Sequence, residues 1–187
     1  MRVPRTALGE WTEVTREPVA DCRIFSVERS IARSPADGTP HTFHRIRCAD
    51  WAQVLPITAG GDAVLVRQYR HGSQRMTLEI PAGMLDPGED PATAALRECL
   101  EETGYRARQA ISLGTVNPNP ALFANRLHSF FATDVEPERT VQNTSTEFTE
   151  PMLVPVRELE GLLLDGQIEH ALVAATVWRY LRLYAAP

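Results

Sequence analysis

The sequence has few cysteines, no long apolar run and no excess of positive charge, and each shortage excludes a class of protein. Its three cysteines in 187 residues are far apart and form no Cys-x-x-Cys pair, so neither a disulfide framework nor a zinc knot is expected. The N-terminus lacks the apolar segment of a signal peptide, and the apolar stretch 171–177 is too short to span a bilayer. A formal net charge of −5 disfavours a broad nucleic-acid-binding surface. We therefore expect a cytoplasmic protein that binds neither membranes nor nucleic acids.

Several common catalytic motifs are also absent from the sequence. The five histidines form no His-Glu-x-x-His zinc motif, and neither a Gly-x-Ser-x-Gly elbow nor a phosphate-binding P-loop occurs. With 43% apolar and 23% charged residues, the chain has the composition of an ordinary globular domain. Its length fits about one domain with a small addition.

The order of predicted elements indicates an α+β fold. Runs rich in β-branched and aromatic residues predict strands at 22–31, 41–48, 51–58, 62–70 and 77–80, with the turn-rich segment 34–40 as a hairpin connection. A helix is predicted over 91–103, since Asp90 suits its N-cap and Gly104 suits the left-handed position after its last turn. The elements predicted after it are strands near 105–114 and 127–133, an extended segment at 147–156, and helices at 156–164 and 168–184. We interpret residues 1–45 as a small β unit that precedes the main domain, 46–187.

Three glutamates share one side of the predicted helix. Glu98, Glu101 and Glu102 lie at positions i, i+3 and i+4, within a sector of about 100°, and the opposite side of the helix is apolar. Like charges at this spacing destabilise a helix by roughly 0.2–0.5 kcal/mol per pair. A hard divalent cation, which prefers oxygen ligands, would reverse the sign of this interaction. The helix alone leaves two interpretations open, a solvated acidic face and a metal site.

The Gly-rich, acidic loop 83–90 leads directly into this helix and favours the metal site. Loop and helix together match a signature of Gly, five residues, Glu, seven residues, Arg-Glu, two residues, Glu-Glu, one residue and Gly. The matching residues are Gly83, Glu89, Arg97, Glu98, Glu101, Glu102 and Gly104. The sequence thereby resembles the Nudix hydrolase superfamily. Cys99 is smaller than the aliphatic residue usual at its position in the signature, a departure that should affect packing rather than chemistry.

The resemblance extends beyond this signature. The segments Val-Arg-Gln-Tyr-Arg (66–70) and Leu-Glu-Ile-Pro-Ala-Gly (78–83) are similar to the branch of ADP-ribose pyrophosphatases, as are, more weakly, 146–150 and 165–168. The resemblance implies an α/β/α sandwich with a mixed β-sheet. It also implies a homodimer, in which the N-terminal β unit contributes to the dimer and to the substrate pocket.

The activity that this resemblance implies is metal-dependent hydrolysis of the diphosphate bond in ADP-ribose or a related nucleoside-diphosphate sugar. One alternative keeps the chemistry but changes the substrate to dinucleoside polyphosphates, NADH or another nucleotide. A second alternative is a Nudix-fold ligand sensor without turnover, which the intact glutamates of the signature disfavour.

The resemblance also implies a metal site. Glu98 and Glu102 match the principal metal ligands, Glu101 matches a third carboxylate ligand, and the backbone carbonyl of Ala82 matches a further one. The expected cofactor is Mg²⁺, with Mn²⁺ as a substitute. Arg97 matches the arginine that pairs with these carboxylates and holds them in place.

The resemblance also implies which residues carry out catalysis and which bind the substrate. The general base is expected in the polar segment 142–150, with Glu147 as first candidate, Glu150 as second and Glu101 as third. Arg70 and Glu79 match polar positions near the substrate. A surface arginine and a salt bridge across the sheet are the respective structural alternatives for these two residues.

The segment that follows the signature departs from the branch. Many ADP-ribose hydrolases have a Ser-Pro-Gly segment here, whereas this chain has Asn-Pro-Asn-Pro-Ala at 117–121. For its asparagines and for His128, substrate contact and turn or packing chemistry are both open. Phe43, Trp51 and Tyr69 are candidates for stacking on a base, but burial in the core is the favoured interpretation of all three.

Overall fold

The computed structural model describes residues 9–141, 143 and 148–185. Its contacts form two compact units. The smaller unit contains residues 9–49 together with 119–125, and the larger contains Asp50–Pro118 and 126–185. The role of residues 1–45 in dimerisation and in the substrate pocket stays a prediction.

The smaller unit is built on a three-stranded antiparallel sheet with the order β1-β2-β3. The strands are β1 (Thr12–Asp21), β2 (Ser26–Arg33) and β3 (Pro40–Arg47), and the predicted turn at 34–40 joins the last two. β1 was not predicted, because every residue in it is exposed and no apolar alternation marks it.

The second strand begins four residues later than predicted. Residues 22–25 form a turn in which the Cys22 N–H donates to Phe25 O, and Arg23 has a φ of 67°. The Asp21 carboxylate accepts the Arg23 N–H at 3.0 Å and stabilises this turn. A side chain before the apolar run therefore decides where the strand begins.

An eight-stranded sheet forms the centre of the larger unit. Its strands are β4 (Trp51–Thr58), β5 (Asp62–Arg70), β6 (Arg75–Glu79), β7 (Ala82–Met84), β8 (Tyr105–Arg106), β9 (Ile111–Val116), β10 (Leu127–Pro137) and β11 (Thr149–Pro155). The order is β11-β5-β4-β10-β8, with β6 beside β5, β7 beside β4 and β9 beside β10. β4 and β10 run parallel and the other pairs are antiparallel, which makes the sheet mixed.

Helices cover both faces of this sheet. α1 (Pro91–Thr103) packs against the face that carries Ala52 and Val54, whereas α2 (Leu159–Leu164) and α3 (Ala171–Leu183) pack against the opposite face. The predicted α+β class and the α/β/α sandwich are therefore confirmed. Within the residues that the structure describes, no helix is both long and apolar enough to cross a membrane.

The bounds of α1 agree with the prediction from its caps. The Asp90 carboxylate accepts the N–H groups of Ala92 and Thr93 at 3.0 and 3.1 Å. At the other end Gly104 has a φ of 74°, and its N–H donates to Leu100 O. A side chain at Gly104 would also collide with Arg139 O, so this position requires glycine for two reasons.

The strand predicted over 105–114 is interrupted. Its first part, β8, pairs with residues Glu136 and Pro137 at the end of β10, whereas β9 pairs with Leu127–Phe131 at the start of the same strand. Between them, residues 107–110 face 132–135 of β10, where Asp134 has a φ of 55° and the pairing of β10 with β4 shifts in register. The irregularity of β10 thus interrupts the strand predicted over 105–114, and the sequence of that segment alone does not show the break.

Candidate active site

The three glutamates of α1 differ in their exposure. Glu98 and Glu102 are buried, with 9% and 4% of their surface exposed, whereas the Glu101 side chain is 51% exposed. The interpretation of the glutamates as a solvated acidic face is therefore wrong for Glu98 and Glu102. A buried carboxylate costs free energy unless charge or hydrogen bonds compensate it, so its partners matter.

Arg97 joins this helix to the loop before it. Its Nε and Nη2 donate to the two carboxylate oxygens of Glu89 at 3.0 and 2.9 Å. Nη1 donates to Glu98 Oε1 at 2.7 Å and to Glu101 Oε2 at 3.2 Å. Nη2 also donates to Met84 O at 3.2 Å. One planar guanidinium thus compensates three carboxylates at once.

These contacts shift the pKa values of Glu89 and Arg97. The hydrogen bonds from Arg97 and from the Asp86 N–H lower the pKa of Glu89 to about 2. The hydrogen bonds to Glu89 and Glu98 raise the pKa of Arg97 although burial opposes the change. Both groups are therefore ionised at neutral pH.

β7 lies directly against the buried carboxylates. A Cβ on Gly83 would fall within 2.7 Å of Glu98 Oε2 and still closer to the other two atoms of that carboxylate. The Ala82 N–H donates to Glu102 Oε2 at 3.0 Å. Glycine is required at 83 by this close approach, and β7 and α1 form one unit through these contacts.

This donor set has the chemistry of a site for a hard divalent cation. Glu98, Glu101 and Glu102 supply carboxylate oxygens, and Gly83 leaves the space that the Glu98 carboxylate fills. In the described parts of the chain, no three His, Cys, Asp or Glu side chains already converge as metal ligands. Here Glu98 and Glu101 turn towards Arg97 instead.

The comparisons with known proteins decide the family. The NUDIX domain matches residues 51–177 of this chain. The chain belongs to the Nudix family. It is 33% identical over 134 residues to an ADP-ribose pyrophosphatase of Bacillus subtilis, which covers 71% of this chain and 72% of that protein. It is 28% identical over 166 residues to the ADP compounds hydrolase NudE of Escherichia coli, which covers 88% of each chain.

The fold of a known enzyme agrees with this assignment. The crystal structure of an ADP compounds hydrolase superposes with a TM-score of 0.82 at 25% identity, over 95% of this chain and 97% of that chain. The protein is therefore a Nudix hydrolase of the pyrophosphatase type, and it resembles the ADP-ribose pyrophosphatase branch, as the sequence predicts.

Arg70 and Glu79, the two predicted substrate-binding residues of this Nudix protein, contact each other. Arg70 Nε and Nη2 donate to the two oxygens of Glu79 at 2.8 and 2.6 Å, and Thr77 Oγ1 donates to Glu79 Oε1 at 2.7 Å. Burial raises the pKa of Glu79, but these hydrogen bonds and the charge of Arg70 lower it by more. The salt bridge considered for Glu79 is thus present, and a role of either residue in substrate binding stays a prediction.

The three candidates for the general base lie in different places. Glu147 lies outside the described residues. Glu150 is exposed on β11 and follows Thr149, whose hydroxyl donates to Glu102 O at 2.9 Å on the α1 side of the sheet. Since side chains alternate along a strand, Glu150 projects from the opposite side. Glu101 is close to Arg97, as described above.

The loop that follows the Nudix signature uses one of its asparagines to form a turn. Asn119 Oδ1 accepts the Ala121 N–H at 3.2 Å, and the Asn119 carbonyl accepts the N–H groups of Leu122 and Phe123. Turn chemistry is therefore present at Asn119. His128 contacts Asp50 and Thr115 within the larger unit.

The favoured burial of the aromatic candidates is wrong for two of them. Phe43 is 43% exposed and Tyr69 is 47% exposed, whereas Trp51 is half-buried. Phe43 lies on the mostly exposed strand β3, and Tyr69 pairs with the exposed Met76 near the tip of the β5–β6 hairpin. Among the described residues, Trp11 contacts the Phe43 ring and His71 contacts the Tyr69 ring, yet both side chains stay largely exposed, which a count of apolar residues does not reveal.

Two residues at the site had no role in the sequence interpretation. Glu89 was a fixed position of the signature without a function, and it is the principal partner of Arg97. Asp50 carried no signal in the sequence, yet its carbonyl accepts the N–H of Leu85 in the signature loop at 2.9 Å. The pairing of β4 with β7 brings these two segments together.

The first prediction concerns Gly83→Ala. The new Cβ should displace the Glu98 carboxylate, and loss of such positioning typically costs about 10–100-fold in metal affinity or activity. We expect this loss in Mn²⁺ binding by calorimetry and in turnover, while the far-UV circular dichroism spectrum stays unchanged. Gly72→Ala is the matched control, since a Cβ there meets nothing within 4 Å. Unchanged Mn²⁺ affinity in Gly83→Ala would contradict the assigned contact.

The second prediction concerns the pH dependence of the Arg97–Glu89 pair. Glu89 should titrate at about 2, and Arg97→Gln should return its pKa towards the ordinary value of 4.5, as followed by NMR of the side-chain carboxyl carbons. A carboxylate with a lowered folded-state pKa contributes stability above its unfolded pKa and loses it as the pH falls through its folded pKa.

The stability difference between wild type and Arg97→Gln should therefore shrink as the pH falls from about 4.5 to about 2 in urea unfolding. The exposed Arg108 provides the control substitution Arg108→Gln, which should leave the Glu89 titration unchanged. A Glu89 carboxyl that titrates near 4.5 in the wild type would refute the pairing.

Proposed function

We propose that this Nudix protein hydrolyses the diphosphate bond of ADP-ribose or a related nucleoside-diphosphate sugar, with release of a nucleoside monophosphate and a sugar phosphate. The observation that carries the proposal is the pair of buried carboxylates, Glu98 and Glu102, held against β7 by Gly83 and the Ala82 N–H. The names of the relatives, an ADP-ribose pyrophosphatase and an ADP compounds hydrolase, support the choice of substrate.

The reaction is proposed to depend on Mg²⁺, with Mn²⁺ as a substitute. Glu98 and Glu102 would be the principal ligands, together with Glu101 and the backbone carbonyl of Ala82. When bound, the cation stabilises negative charge on the phosphate oxygens and lowers the pKa of a bound water. Arg97 holds the carboxylates in place, and its two hydrogen bonds to Glu89 fix its own position.

Glu147 is proposed as the general base, which takes the proton of the attacking water. It lies two positions before Thr149 in the sequence, and the Thr149 hydroxyl donates to Glu102 O at the end of α1. Glu150 is a weaker candidate because it projects from the other side of β11. Glu101 is the third candidate, since its carboxylate is partly exposed beside Arg97.

Arg70 is proposed to bind the substrate. Its side chain is 40% exposed although its guanidinium is paired with Glu79, so part of it is accessible to a phosphate oxygen. The buried Glu79 would then orient this arginine rather than touch the substrate. The protein is further proposed to be a homodimer, in which the smaller unit contributes to the dimer and to the substrate pocket.

A different nucleotide substrate is the second candidate. The segment 117–121 has Asn-Pro-Asn-Pro-Ala where many ADP-ribose hydrolases have Ser-Pro-Gly, and Asn119 closes a turn in it. Dinucleoside polyphosphates or NADH would share the cleaved diphosphate bond and differ only in the group beyond it.

The third prediction tests the proposed activity. In the presence of Mg²⁺, ADP-ribose should give AMP and ribose 5-phosphate faster than GDP-mannose, UDP-glucose, NADH, diadenosine polyphosphates or nucleoside triphosphates. Product chromatography measures the rates, and Glu102→Gln should abolish all of them, since it removes a charged ligand. Turnover of another compound without turnover of ADP-ribose would assign that compound as the substrate. Inactivity on the whole panel would favour a ligand sensor without turnover.

The fourth prediction tests the general base. Glu147→Gln should lower kcat by about 10²–10⁴-fold, the usual contribution of a positioned base, with little change in KM. Glu150→Gln is the matched control on the same segment and should keep most of the activity. Near-normal turnover of Glu147→Gln would be incompatible with the assignment.

A further inference from the structure

A chain of three polar side chains lies at the edge of the sheet beside the signature loop. His128 Nε2 lies 3.1 Å from Asp50 Oδ2, and His128 Nδ1 lies 3.3 Å from Thr115 Oγ1. Since a carboxylate can only accept, the Nε2–H donates to Asp50, while Nδ1 lies within hydrogen-bond distance of the threonine hydroxyl. The chain joins the start of β4 to the end of β9 and the start of β10.

Asp50 is fixed at several atoms. Its Oδ1 accepts the Arg126 N–H at 2.8 Å, while its Oδ2 receives His128. Its backbone carbonyl accepts the Leu85 N–H at 2.9 Å. Asp50 therefore connects the loop 83–90 to the segment 126–128, which is distant from it in sequence.

The contact with Leu85 continues to the carboxylates. Leu85 follows Met84, whose carbonyl accepts Arg97 Nη2 at 3.2 Å. Arg97 in turn donates to Glu98 and Glu101. A displacement of the Asp50 peptide would thus shift the loop backbone at the point where it holds the guanidinium.

His128 occupies the same cross-strand row as Gly83. The register pairs Gly83 with Ala52, Ala52 with His128 and His128 with Thr115. The last three residues therefore project their side chains from one face of the sheet, and Gly83 lies in the same row. That face is the one covered by α1, because Ala52 packs with residues of α1. At about 4.8 Å per strand, His128 lies on the order of 10 Å from Gly83 along the sheet, too far for direct contact with the buried carboxylates.

We propose that His128 is a positioning residue, which acts through Asp50 to hold the loop 83–90 where Arg97 and the carboxylates of α1 require it. The inference rests on the proposed function for its kinetic consequence, but its structural consequence is independent of the substrate. His128 does not touch the reacting atoms. It keeps the Asp50 carboxylate in the orientation in which the backbone carbonyl of Asp50 accepts the Leu85 N–H.

Two substitutions of His128 separate its two hydrogen bonds. In His128→Gln the side-chain amide reaches the position of Nε2 and can still donate to Asp50. In His128→Asn the shorter amide reaches only the position of Nδ1, so it keeps Thr115 and loses Asp50. The two variants have the same polar group and differ in which contact they preserve.

The experiment measures amide hydrogen exchange of residues 83–90 in the protein without substrate, and then kcat and KM on the panel substrate that the wild type cleaves. His128→Asn should exchange faster in this loop and lose about 10–100-fold in kcat, the cost of a small misplacement at a reacting centre. Its KM should change less than kcat, and exchange in β5 should stay at the wild-type rate. His128→Gln should resemble the wild type in both measurements.

Equal behaviour of the two variants, or unchanged exchange of residues 83–90 in His128→Asn, would overturn the proposal. Faster exchange throughout β5 as well would show a general loss of stability and would also overturn it. Glu138→Gln is the control, since Glu138 pairs with Arg106 beside the opposite end of β10. Failure of the proposed function is distinguishable, because it appears as an inactive wild type on every nucleoside-diphosphate sugar, whereas the exchange measurement needs no substrate.

Discussion

The contacts of Arg97 are the constraint on which the rest of the site depends. Glu98 and Glu101 both lie beside its Nη1, and Glu98 is buried. Without the positive charge of Arg97, the repulsion between these two carboxylates would be costly. The arginine is itself fixed by Glu89 and by Met84 O, both in the loop before the helix. A loop and a helix that follow each other in sequence thus form one electrostatic unit, which the sheet only has to place.

The sheet places this unit through close backbone approaches rather than through large side chains. Gly83 lets β7 lie against Glu98, and the Ala82 N–H supplies one hydrogen bond to Glu102. Among the described strands β7 pairs with β4 alone, so the start of β4 determines where the signature loop leaves the sheet. Residues at that end, Asp50 above all, therefore influence the site although none of them belongs to the signature.

The parts predicted from the sequence are those with a local cause. The bounds of α1 follow from Asp90 and Gly104, and the grouping of its glutamates follows from helical periodicity. The burial of Glu98 and Glu102, the exposure of Phe43 and the break after Arg106 depend on which strand or layer lies opposite each segment. Asp50 and His128 meet only through the parallel pairing of β4 with β10, 78 residues apart in sequence, so no local pattern could show it.

The arrangement also explains why the signature needs Glu89 in addition to the glutamates of the helix. A cation bound by Glu98 and Glu101 would compete with Arg97 for the same carboxylates. If Glu98 and Glu101 were the only partners of Arg97, its hydrogen bonds and ion pairs would be lost when these carboxylates turned to the metal. A partly buried guanidinium would then be left unpaired. Glu89 and Met84 O retain Arg97 on the opposite side of its planar group. The arginine can therefore stay in place as a fixed positive charge beside the site whichever way the helix carboxylates turn.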